Sequence, residues 1–111
     1  MERDNFGADP QVRYLRQVFG YTETAQADFL HRLNISPFDD RLRRWREASL
    51  KLFEKVWMLS SNRGIPAEKE RVSKIYLYCL AHFLKLNRIG VPPEILPVDE
   101  NIESLMKEVL K

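Results

Sequence analysis

The stretch SPFDDRLRRWREASLKLFEKVWMLSSNRG (residues 36–64) decides the fold. Phe38, Leu42, Trp45, Ser49, Leu52, Val56 and Leu59 recur at alternating steps of three and four. That period lines up one face of an α-helix and matches the seam of an antiparallel bundle. Ser36-Pro37 provides a helix start, Asp39 and Asp40 suit the positive end of the helix dipole, and Gly64 provides a stop. The helix is expected to run to about Asn62. Leu50, Phe53 and Trp57 widen its apolar arc to roughly half the circumference at 100° per residue. It should therefore touch more than one neighbour.

Working outward, the punctuation stays helical. Asp9-Pro10 reads as a cap and first residue, with Val12, Leu15, Val18 and Phe19 on one face and Gly20 as a stop. A second helix is expected from Thr22 or Thr24, with Ala25, Phe29, Leu30 and Leu33 as its stripe and Asn34 at its end. Beyond residue 64, Ile65-Pro66 opens a helix that Gly90 follows. Its residues Val72, Ile75, Tyr76, Cys79, Leu80, Phe83, Leu84 and Leu86 leave only a narrow polar strip. A helix apolar nearly all round is central or covered by another subunit. Pro92, Pro93 and Pro97 make residues 91–98 an extended connector. Asp99 then caps a last amphipathic helix over about 99–110, with Ile102, Leu105, Met106, Val109 and Leu110 on one face. No segment alternates like a strand, and no hairpin turn occurs. The expectation is a single all-α domain over residues 1–111. A bundle over about 9–90 would hold four of the helices, and the whole would be an antiparallel bundle of four to five helices with no sheet. The last helix either closes that bundle or reaches a partner.

Composition agrees with one folded core. The 111 residues are 44% hydrophobic and 31% charged, with 18 Lys and Arg against 16 Asp and Glu. A single cysteine, Cys79, allows no internal disulfide and fits a reducing compartment. The polar start Met1-Glu2-Arg3-Asp4-Asn5 has no signal core, and the apolar run Ile75–Leu84, broken by His82, is too short to span a membrane. The expected setting is the cytoplasm, with no membrane partner.

Most chemistries lack residues to support them. Cys79 and His82 lie three apart, but no further soft ligands stand at zinc-site spacing, and no Glu-x-x-His pair marks a di-iron bundle. No Gly-x-Ser-x-Gly, Walker or Gly-x-Gly-x-x-Gly pattern is present. A buried thiol at Cys79 would be inert. The expectation is a protein with no metal, no cofactor and no catalytic activity.

Two surfaces remain. Residues 26–36 (QADFLHRLNIS) resemble the first helix and turn of a helix-turn-helix, which implies a recognition helix from Ser36-Pro37. Arg41, Arg43, Arg44, Arg46, Lys51 and Lys55 would then be the nucleic-acid contacts. Residues 35–64 hold seven basic against four acidic residues, the one basic stretch of the chain. Against this, Asp39 and Asp40 at the helix start would repel phosphate, and Glu47 four residues before Lys51 suits a self-paired helix surface. The surplus of large apolar residues points instead to protein contact, because exposed apolar patches mark interaction sites. Helical phase nominates Leu50, Phe53, Trp57, Tyr76, Tyr78, Ile102, Leu105, Met106 and Val109. The sequence therefore reads as a helical interaction module, a homo-oligomer or small subunit of a larger assembly, with nucleic-acid binding as the alternative.

Overall fold

The computed structural model describes residues 10–61, 67–96 and 100–110, apart from the side chains of Gln11, Glu100, Glu103 and Leu105. Four helices pack together: α1 (Pro10–Arg32), α2 (Arg43–Ser60), α3 (Lys69–Leu86) and α4 (Glu100–Val109). Short 3-10 turns cover Asp40–Leu42 and Pro93–Ile95. The described residues are all-helical and contain no strand. The expected caps at Asp9 and Asp99, the stop at Asn62–Gly64 and the start at Ile65-Pro66 lie outside them.

Gly20 does not end a helix. The two helices expected on either side of it are one helix of 23 residues. The hydroxyls of Thr22 and Thr24, read as caps, instead donate back to the carbonyls of Val18 (2.8 Å) and Gly20 (3.0 Å). Such back-bonding leaves the helix intact. Glycine inside a helix costs about 1 kcal/mol relative to alanine. Burying Val18, Phe29 and Leu30 on the same helix returns roughly 1.5–3 kcal/mol for each side chain, so tertiary packing outweighs the local preference. The left-handed position that ends α1 is Asn34 (φ 57°), as its sequence position suggested. Its neighbour Ile35 donates its N–H to the Leu30 carbonyl at 3.0 Å. The end of α3 repeats this arrangement with Arg88 (φ 62°) and an Ile89 N–H on the Leu84 carbonyl at 2.9 Å. Both are wrapped ends that satisfy orphan carbonyls and fold an isoleucine back onto the helix.

The helix of the 36–64 stretch starts at Arg43 rather than at the expected Ser36-Pro37. Ser36 Oγ accepts from the Phe38 N–H at 3.1 Å, and Asp39 Oδ1 accepts from the Arg41 N–H at 2.9 Å. These local bonds hold turns where the recognition helix of a helix-turn-helix would begin. Phe38 consequently lies outside the helix and is 81% exposed. The connector carries a similar change, since a 3-10 turn interrupts the extended backbone at Pro92 and Leu96.

The core forms around α3, which packs against α1, α2 and α4. Val72, Ile75, Cys79, Leu80 and Leu84 are almost completely buried on it. Trp45 wedges between α2 and α3, with ring centroids 5.1 Å from Tyr76 and 5.6 Å from Phe83. Its indole N–H donates to Gln26 Oε1 at 2.9 Å, so the one polar atom of the ring is satisfied across to α1. The last helix packs on α3 and α2, with Ile102 and Val109 buried. It closes this bundle.

Complete burial of Ile102 and Val109 stabilises by about 3–6 kcal/mol together, a large share of a typical total of 5–15 kcal/mol. Deleting residues 99–111 should therefore abolish cooperative unfolding monitored by far-ultraviolet circular dichroism. A truncated chain that still melts cooperatively would contradict this packing. Gly20→Ala meets open space within the chain at its added Cβ and should raise the stability of the single chain by about 1 kcal/mol, seen as a higher Tm in dilute solution.

Candidate functional site

α1 and α2 reach each other through long side chains. Tyr14 stands 5.8 Å from Trp57 between ring centroids, and Phe19 stands 4.9 Å from Phe53 in an edge-on pair. With Gln26 and Trp45 these make three bridges. Large rings between two helices keep the backbones apart, and the space above the rings is left unfilled. The result is an apolar groove of 540 Å³ between the helices.

Its α1 wall is Leu15, Arg16, Phe19, Gly20 and Glu23, and its α2 wall is Leu50, Phe53, Glu54, Trp57 and Met58. Phe53 forms the floor at 2% exposure and also approaches Tyr76 at 6.5 Å. Leu50 is 57% exposed and Met58 73% exposed on the rim. Leaving two such side chains in water forfeits roughly 1.5–3 kcal/mol each. Scattered single apolar residues need no explanation, but a concave cluster over an aromatic floor marks a contact surface. Gly20 belongs to the same wall, and nothing lies within 4 Å of where its Cβ would stand.

The structure sorts the nominated interface residues. Leu50, Phe53 and Trp57 come together in the groove. Phe53 contributes as buried floor and not as an exposed edge, which corrects its expected position. Tyr76 is 3% exposed and Ile102 and Val109 are buried, so these three are core. They were read as surplus because the periodicity of one helix does not reveal how many neighbours cover it. Tyr78 and Met106 are half-buried against the core, away from the groove. The Leu105 side chain lies outside the described residues. Sequence reasoning missed Leu15, Arg16, Phe19, Gly20, Glu23, Glu54 and Met58. The α1 set shares one face only in a helix that continues through Gly20, which is where the expected break stood.

The six nominated nucleic-acid contacts divide as well. Arg41 is clamped by Asp39, with Nε–Oδ1 at 3.0 Å and Nη2–Oδ2 at 2.8 Å. That bidentate bond holds the Asp39 carboxyl down at about 2. Arg46 donates to the carbonyls of Pro37 (2.8 Å) and Asp39 (2.9 Å), tying the turn to α2. Two of the six are thus occupied in holding the 36–42 turn. Arg43, Arg44, Lys51 and Lys55 are exposed. Among the described residues they form no ion pair, and the expected Glu47–Lys51 pair is not made.

Cys79 and His82 line one cleft apart from the groove, together with Leu52, Phe83 and Leu86, but Cys79 is buried in its wall and His82 is exposed. Among the described residues no three His, Cys, Asp or Glu side chains gather closely enough to hold a metal ion. Burial pushes the Cys79 thiol up to about 12 and raises the Tyr76 hydroxyl well above its usual range. The thiolate is the reactive form, so alkylation of Cys79 by iodoacetamide at pH 8 should be blocked in the folded chain and rapid in denaturant. Fast alkylation of the native protein would place the thiol at the surface.

No helix among the described residues is long and apolar enough to cross a membrane. Comparison with known proteins finds no matching family model, no similar curated protein and no similar solved structure.

Proposed function

We propose that this chain is a helical protein-interaction module without catalytic activity, working in the cytoplasm, whose docking surface is the groove between α1 and α2. The observation that carries the proposal is the open groove itself. Leu50 and Met58 stand exposed over a floor of Phe19, Phe53 and Trp57, and none of its lining comes from α3 or α4. The occupant is an amphipathic helix, whose apolar face fits a trough between two helices. Its anchors would fall at i, i+3, i+4 and i+7. We also read α1 and α2 as antiparallel neighbours. The bridges Tyr14–Trp57, Phe19–Phe53 and Gln26–Trp45 support this, because residue numbers rise along one helix as they fall along the other.

Nucleic acid on the outer face of α2 is the second reading. Arg43, Arg44, Lys51 and Lys55, exposed and without an ion pair among the described residues, favour it, and the interleaved Glu47 and Glu54 oppose it.

Selection of displayed helical peptides against the intact chain tests the groove, with counter-selection on a chain carrying Leu50→Glu and Met58→Glu. Both substitutions fall on exposed side chains and should leave Tm nearly unchanged. The expected result is enrichment of peptides with the apolar helical spacing that lose binding to the double variant. Enrichment of peptides that bind both chains equally, or no enrichment, would overturn the reading.

A further inference from the structure

We infer that the helix occupying the groove is α1 of a second copy of this chain, crossing its counterpart about a two-fold axis at Phe19 and Gly20. The inference rests on the groove being a docking surface and names its occupant. Arg16, Phe19, Gly20 and Glu23, four of the five residues of the α1 wall, lie at steps of three, one and three. That order of steps is the same in both directions. Two antiparallel copies aligned on the midpoint of Phe19 and Gly20 therefore set Arg16 of each opposite Glu23 of the other. They also set Phe19 of each opposite Gly20 of the other.

Both matches are complementary. The charge match pairs a guanidinium with a carboxylate twice, once on each side of the axis. Neither Arg16 nor Glu23 makes an ion pair with another described residue, so both are available. The size match sets a phenyl ring over a position where nothing lies within 4 Å of a Cβ. Glycine at a helix crossing allows close approach, which accounts for a residue that otherwise weakens α1. An isologous interface needs such a self-complementary face. The exposed Leu50 and Met58 of each copy then cover the flanks of the partner's α1.

The test is sedimentation equilibrium of the full chain and its charge reversals. The intact chain should reach twice its 13.2 kDa mass. Arg16→Glu alone and Glu23→Arg alone should each weaken the dimer roughly tenfold or more, since each places like charges opposite one another at two symmetric sites. An equimolar mixture of the two variants should dimerise again, because both contacts become attractive in the mixed pair. Misfolding of either variant would not produce that rescue. Gly20→Leu should abolish the dimer. A chain that stays at 13.2 kDa up to about 1 mM, the weak end of measurable association, would overturn self-occupancy. So would a dimer indifferent to both reversals. If helical peptides still select the groove in either case, the docking surface stands and only its occupant is wrong.

Discussion

Three side-chain bridges set the distance between α1 and α2, and the rest of the architecture follows from that spacing. Tyr14 on Trp57, Phe19 on Phe53 and Gln26 on Trp45 hold the two helices apart while tying them together. Aromatic pairs of this kind are worth about 0.5–1.5 kcal/mol beyond the area they bury. They also have fixed size, so a wide gap between helices becomes a fixed gap. Behind the rings the gap is filled by α3, and in front of them it stays open as the groove.

The same rings connect packing to polar satisfaction. Phe19, Phe53, Tyr76, Trp45 and Phe83 form a continuous chain of ring contacts from α1 through α2 to α3. A buried indole N–H without a partner would cost about 1–3 kcal/mol, and Gln26 removes that penalty from across the bundle. The 36–42 turn is secured differently, by Asp39, Arg41 and Arg46 at the surface. These bonds direct the chain out of α1 and into α2, which presents Trp45 inward and leaves Leu50 and Met58 on the open side.

Much of the fold could be read from residue order. The step of three and four through Trp45, Leu52 and Val56 identified the packing face of α2, and the apolar circumference of α3 identified a covered central helix. Asn34 marked the end of α1. Gly20 misled because a glycine stop and a glycine inside a continuous helix have the same local signature. Only the tertiary burial of Val18, Phe29 and Leu30 distinguishes them. Phe38 misled because the Ser36 and Asp39 side chains, accepting from the N–H groups of Phe38 and Arg41, outcompeted helical backbone bonds. Part of the α2 wall was visible in Leu50, Phe53 and Trp57. The α1 wall required knowing that α1 is unbroken, since Arg16 and Glu23 share a face only across Gly20. Tyr76, Ile102 and Val109 lay beyond any one-helix reading, because whether an apolar face is core or surface depends on which neighbour covers it.

Methionine provides the most direct probe of the groove. Of the three methionines, Met58 sits on its rim and Met106 lies half-buried on α4, so the Met58 methyl reports the site and the Met106 methyl reports the body of the fold. The chain can be labelled with carbon-13 at methionine methyl groups and followed by nuclear magnetic resonance as its concentration rises. Docking of a second copy in the groove predicts that the Met58 signal shifts or broadens with concentration while the Met106 signal stays in place. A fixed Met58 signal across the same range, or movement confined to Met106, would contradict it.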